Sequence, residues 1–120
     1  MYLGGDSGYD IHFAEIGKKF GNFDIVLLDN GQYNKNWKYI HNMPEDVIQA
    51  MNDLNAKRAF PVHSSKFALS LHSWDEPLKK VTELNSFSKN PIPLITPMIG
   101  EIVELKNEKQ QFSAWWENIN

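Results

Sequence analysis

Apolar side chains recur at helical spacing in three parts of the chain. In the first part, Phe13, Ile16 and Phe20 share one helical face. They predict a helix from about Asp10 to Phe20, with Asp10 as its N-cap and Gly21 as its stop. This face is expected to lie against a sheet.

The second and third helical segments also carry recognisable start signals. Pro44 opens the second helix at its first turn. Its predicted buried stripe is Val47, Met51 and Leu54. The third helix begins with a capping-box pattern over 73–76 and continues to about residue 85. The stripe of this helix is Leu78, Val81 and Leu84.

Four short segments are predicted as strands. They are residues 1–4, 23–28, 59–63 and 102–105. Both alternating sets of positions in 23–28 are largely apolar, which is typical of a strand buried on two sides. Asp29-Asn30-Gly31 follows as a strong turn signal, and Pro61 indicates an edge position or a strand end. Residues 32–43 are predicted as a loop, and the proline-rich stretch 91–97 as an extended edge segment.

Strands that alternate with helices indicate an α/β layered fold. In such folds the functional groups lie in loops just beyond the strand ends. The length of 120 residues fits one domain, or one half of a larger one.

Composition and charge exclude several classes of function. The chain has 42% hydrophobic residues and no cysteine, so it is globular and has neither a disulfide framework nor a cysteine zinc site. A net charge of -3 argues against sequence-independent nucleic-acid binding. Neither a signal peptide nor a transmembrane segment is visible, which favours a cytoplasmic location without establishing it.

Three polar side chains near predicted strand ends or helix starts are candidates for chemistry. Asp6 lies in the glycine turn GGDSG, where a carboxylate can bind a metal or cap the following helix. His63 ends a strand and can ligate a metal through a neutral nitrogen. His41 precedes a helix and can serve as a general acid or a substrate donor. Taken singly, each is more typical of an ordinary surface or structural residue.

Several blocks in order give these residues a more specific meaning. The chain reads GGDSGYDIHFAEIGKKFGNFDIVLLDNGQY, HNMPEDVIQAMNDLNAK, PVHSSKF, WDEP, IGEIVEL and a terminal WW. This order closely resembles the C-terminal half of metal-dependent hydrolases of the metallo-β-lactamase fold. The most similar branch contains the N-acylphosphatidylethanolamine-hydrolysing phospholipase D and the ascorbate-phosphate lactonases.

The resemblance implies half of an αββα sandwich, with a mixed sheet and helices on one face. It implies a two-metal site, usually zinc, with Asp6 bridging both ions and His63 as a ligand of the second. His41 corresponds to the histidine at the substrate pocket. The implied reaction is attack of a metal-bound hydroxide on a phosphodiester, lactone or similar small ester of a small-molecule or lipid substrate.

The chain departs from the family pattern at the expected rim of the pocket. The family commonly reads His-Trp-Gly-Thr-Phe, but Ser64, Ser65 and Lys66 separate His63 from Phe67 here. The family also favours Pro-Arg after the loop tyrosine, where this chain has Lys35 and Asn36.

The His-x-His-x-Asp-His block of the family belongs to its N-terminal half and does not occur in this sequence. We therefore expect residues 1–120 to be a single domain that forms the C-terminal half of a hydrolase, inactive alone, with weak or absent zinc binding. The alternative is a non-catalytic half-domain that serves assembly or ligand binding. Because the inner sheet face would lack its covering half, a dimer or higher homo-oligomer is also expected.

Overall fold

A three-stranded parallel sheet organises the chain. The computed structural model describes residues 1–119. The strands are β1 (Tyr2–Leu3), β2 (Val26–Asp29) and β3 (Ala59–Val62). Their order in the sheet is β1-β2-β3, so β2 lies in the centre. In register, Tyr2 pairs with Val26, and Asp29 pairs with Val62.

Helices form the second layer. They are α1 (His12–Phe20), α2 (Pro44–Asp53) and α3 (Glu76–Phe87), with short 3-10 turns at Lys35–Trp37 and Trp115–Asn118. Both α1 and α3 pack against α2, and α2 contacts β2. The predicted α/β class is confirmed over residues 1–119, and none of the helices there is long and apolar enough to cross a membrane.

The core lies between β2 and the helices. Its fully buried side chains include Phe13, Val26, Leu28, Val47, Met51, Leu54 and Val81. The predicted stripe of α2 is confirmed, since all three of its residues are buried. Val26 and Leu28 are buried on one face of β2. On the opposite face Ile25, just before the strand, is buried and Leu27 is half-buried, so the prediction of burial on two sides is confirmed except at Leu27.

The predicted mixed sheet is wrong for the strands that the structure describes. All three run parallel because each connection between neighbouring strands contains a helix, which returns the chain to the amino-terminal ends of the strands before the next strand begins. Residues 102–105 also form no strand, and Ile102 is exposed. The extended stretch after α3 does lie beside β3, where Ala59 bridges to Leu94 in parallel orientation.

Two helix starts differ from their predicted form. Helix α1 begins at His12 rather than at Asp10, whose side chain accepts a hydrogen bond from the backbone N–H of Ile11 outside the helix. Helix α3 begins at Glu76, and its N-cap, Asp75, makes no side-chain capping bond. Phe20, predicted to face the sheet, is 62% exposed at the last position of α1, so the prediction is wrong for this residue.

Gly17 is the point of closest approach between α1 and α2. A Cβ atom at this position would lie 1.8 Å from the carbonyl oxygen of Asp53. Because the obstacle is backbone, a side-chain rotation cannot relieve the overlap. The glycine therefore sets the distance between the two helices.

Replacing Gly17 by alanine is expected to destabilise the fold by about 1–3 kcal/mol, the usual cost of overpacking a well-packed contact. Urea unfolding followed by far-UV circular dichroism measures the change. Glu15→Ala, an exposed substitution in the same helix, is the matched control and should stay within about 0.5 kcal/mol of the parent. Equal stability of the Gly17→Ala variant and its parent would contradict the assigned contact.

Several large apolar side chains are exposed, among them Leu3 at 69% on strand β1. Self-association remains a prediction for the isolated chain, since an isologous contact can cover such a surface. Sedimentation equilibrium at micromolar concentration should show a dimer or a larger species. A folded monomer under these conditions would contradict it.

Candidate metal site

The candidate residues lie at one edge of the sheet. Asp6 follows β1, Asp29 is the last residue of β2, and His63 comes directly after β3. Because the three strands are parallel, these positions share the carboxyl-terminal edge, where open α/β sheets bind ligands.

Asp29, His41 and His63 form a compact cluster at this edge. Nδ1 of His41 lies 2.8 Å from Oδ2 of Asp29, and Nδ1 of His63 lies 2.9 Å from Oδ1. One ligand atom from each residue lies within 4.8 Å of the others, and within residues 1–119 this is the one such group of three metal-ligating side chains. The Asp29 side chain is fully buried, whereas those of His41 and His63 are 15% and 36% exposed.

The loop that carries His41 is fixed from two directions. The backbone N–H of His41 donates to the carbonyl of Trp37 at 2.9 Å, and the buried Asn42 amide donates to the backbone carbonyl of Asp29 at 3.1 Å. On its other side, the loop passes so close to Gly8 that a Cβ there would lie 2.5 Å from the carbonyl carbon and oxygen of Tyr39. His41 is therefore held against the end of β2.

The position of His63 depends on a close backbone contact with Gly31. A Cβ at Gly31 would lie 2.1 Å from the carbonyl oxygen of His63. His63 itself has φ 67°, in the left-handed region that non-glycine residues seldom occupy. Residues held in this way are concentrated at functional sites, where the surrounding structure imposes the conformation.

The loop that carries Asp6 is tied to α2. Tyr9 donates a hydrogen bond to Asp53 at 2.5 Å. This bond, together with burial and nearby carboxylates, raises the pKa of Tyr9 to about 12, so the phenol stays protonated as a donor. Asp6 is exposed and makes no side-chain hydrogen bond within the part of the chain that the structure describes. Its assignment as a bridging ligand stays a prediction, as do those of His41 and His63.

Sequence reasoning missed Asp29. Its local pattern, Asp-Asn-Gly, predicts only the start of a turn. The signal that points to it is its place directly after the most apolar strand, where a buried carboxylate requires partners. The histidine partners come from 12 and 34 positions further along the chain.

Two cavities flank His63. One, of about 150 Å³, is lined by Gln32, Lys66 and Phe67 among others. The second, of about 330 Å³, is lined by residues 97–101 and Trp115 among others. Gln32 closes part of the first cavity by donating to the backbone carbonyl of Phe67 at 2.8 Å. Ser64, Ser65 and Lys66, where the chain departs from the family pattern, therefore line the cavities beside the histidine. Lys35 and Asn36 line neither of these two cavities.

The donor set fits zinc in its chemistry. Imidazole nitrogen and carboxylate oxygen are ligands that zinc takes in proteins. The side chains of both histidines are partly exposed, so they can contact a metal ion that enters from solvent. The Asp29 carboxylate lies buried behind them.

Comparison with known proteins agrees with this geometry. Residues 1–64 match the family described as beta-lactamase superfamily domain. The outer membrane protein RomA of Klebsiella pneumoniae is 47% identical over 66 residues, which cover 55% of this chain and 50% of that protein. An uncharacterized protein of Mycobacterium tuberculosis is 33% identical over 118 residues, which cover 96% of this chain and 31% of the relative.

A relative with a named activity is more distant. The N-acyl-phosphatidylethanolamine-hydrolyzing phospholipase D 1 of Caenorhabditis elegans is 28% identical over 110 residues, which cover 87% of this chain and 31% of that protein. The chain thus spans between about a third and a half of the length of these relatives. The resemblance indicated by the GDSGY and PVHSSKF blocks is confirmed: the chain belongs to the beta-lactamase superfamily.

Proposed function

We propose that this chain carries one half of the active site of a metal-dependent hydrolase that cleaves a phosphodiester, lactone or related ester. The observation that supports this most directly is the Asp29–His41–His63 cluster at the ligand-binding edge of a beta-lactamase superfamily domain. The name of the Caenorhabditis elegans relative, an N-acyl-phosphatidylethanolamine-hydrolyzing phospholipase D, supports a phosphodiester as the substrate class.

The roles proposed for the individual residues are those that the resemblance to metallo-β-lactamase-fold hydrolases implies. His63, the more exposed histidine, would hold one metal ion, and Asp6, displayed by its glycine turn, would bridge two. Zinc ions, when bound, supply a water nucleophile of lowered pKa and stabilise developing negative charge. His41, which adjoins His63 at a ring-centroid distance of 5.2 Å, would face the substrate as a hydrogen-bonding group of the pocket.

The remaining ligands would come from a second half that carries the His-x-His-x-Asp-His block. Catalytic zinc normally has three protein ligands, and the two predicted here, Asp6 and His63, are too few for two ions. A small ester or a lipid headgroup would occupy the cavities beside His63, whose rim includes the cation of Lys66.

The 120-residue chain alone is expected to bind zinc weakly. It is also expected not to hydrolyse phosphodiester or lactone substrates. The physical reason is the incomplete ligand set. Isothermal titration with zinc measures the affinity, with His12→Ala as the matched histidine control for His63→Ala. Sub-micromolar binding that His63→Ala abolishes and His12→Ala preserves would show that the half-site suffices by itself.

In a full-length protein that contains this chain, Asp6→Ala is expected to abolish turnover and to lower the bound metal. A bridging carboxylate holds both ions, whereas a pocket histidine contributes at most about 10²–10⁴-fold as a general acid. His41→Ala should therefore cost less activity and leave metal content near normal. The turnover rate of both variants, and their metal content by atomic absorption, test this expectation. Full activity in Asp6→Ala would contradict the assignment of Asp6 as the bridging ligand.

A further inference from the structure

We propose that Asp29 is a positioning residue, which fixes His41 and His63 together by accepting a hydrogen bond from Nδ1 of each ring. This leaves Nε2 of both rings as the atoms available to a metal ion or a substrate. The proposal rests on the proposed function for the roles of the two histidines, but the arrangement itself can be tested in the metal-free chain.

The first support is that the carboxylate is divided evenly between the rings. Oδ2 of Asp29 faces His41 at 2.8 Å, and Oδ1 faces His63 at 2.9 Å. An ionised carboxylate can only accept hydrogen bonds, so each ring must carry its proton on Nδ1. A neutral imidazole protonated on Nδ1 presents Nε2 as a lone-pair donor.

The second support is that the geometry differs from that of a ligand set. Two atoms bound to one tetrahedral zinc at 2.0–2.1 Å lie about 3.3 Å apart. The separations at Asp29 are shorter and match charge-assisted hydrogen bonds. The carboxylate is also 0% exposed, so it presents no accessible surface to solvent or to a substrate.

The third support is that Asp29 is itself rigidly held. It lies at the end of the central strand and pairs in register with Val62, the residue before His63. The neighbouring Asn30 N–H donates to the carbonyl of Val62 at 2.9 Å, and Asn42 donates to the carbonyl of Asp29. Carboxylates that hold histidine ligands by their second nitrogen fix both ring orientation and tautomer.

The wild-type arrangement can be tested by long-range ¹H–¹⁵N correlation spectra of the metal-free chain in alkaline buffer. The chain has four histidines, so each ring can be assigned by single substitutions. We expect His41 and His63 to be protonated on Nδ1, with Nε2 resonating as an unprotonated nitrogen. A neutral Nε2–H form on either ring would overturn the proposal.

Asp29→Asn separates positioning from simple packing, because the amide has nearly the same shape but one accepting and one donating end. The ring that faces the amide NH₂ must accept through Nδ1, so one of the two histidines is expected to switch to the Nε2–H form. Asp24→Asn, an exposed substitution that precedes the same strand, is the matched control and should switch neither ring. Unchanged tautomers in a folded Asp29→Asn variant would overturn the role of the carboxylate.

Metal binding gives a second readout in the full-length protein. Loss of a carboxylate that orients a ligand typically lowers metal affinity by about 10–100-fold, and we expect a loss of this size for zinc in Asp29→Asn. In the wild type, zinc should shift Nε2 of His63 while the Nδ1 proton persists. Loss of that Nδ1 proton on addition of zinc would indicate that zinc binds to Asp29 and to the Nδ1 atoms. This result would overturn the proposal. A full-length protein with these signatures but no hydrolysis would instead overturn the proposed function.

Discussion

The buried carboxylate of Asp29 is the interaction on which the candidate site depends. It joins the end of the central strand to two segments that are otherwise separate, the loop before α2 and the turn after β3. A buried carboxylate without partners would be strongly unfavourable, so the same requirement that stabilises the fold also fixes both histidines. Stability and the geometry of the site are thus coupled at one residue.

The parallel sheet explains why these segments meet at all. Each connecting helix returns the chain to the amino-terminal edge of the sheet, where the next strand begins. All three strands therefore end at the opposite, carboxyl-terminal edge, where the residues that follow them meet. Gly8 and Gly31 then allow the loops to approach at backbone distance, closer than any side chain would permit. Backbone contacts at Gly8 and Gly31 therefore bring the loops together, and the side chains of the site depend on that approach.

Much of the fold could be predicted from the sequence where the signal is local and strongly periodic. The stripe of α2, with its proline at the first turn, and the buried central strand are examples, because burial and helical spacing act within a few residues. The missing strand near Ile102 could not be predicted this way, since a strand forms only beside a distant partner. The parallel direction agrees with the predicted helix in each connection, whereas the expectation of a mixed sheet came from the family resemblance. The order of the sequence blocks indicates His41 and His63 but not Asp29. Its function depends on contacts 12 and 34 residues away, while its local pattern is that of a turn.

The contact between Gly31 and the backbone of His63 also bears on how such a site can diversify. Because main-chain packing and a buried carboxylate set the histidine positions, side chains on the cavity rim contribute little to holding them. Among residues 64–66, where this chain departs from its family, Ser65 has φ 74°, a conformation that few residue types adopt readily. Ser64 and Lys66 are therefore the rim positions at which a substitution should disturb the histidines least. A library randomised at these rim positions would vary substrate preference on a constant framework, whereas one that includes Gly31 would mostly sample chains in which the framework itself is lost.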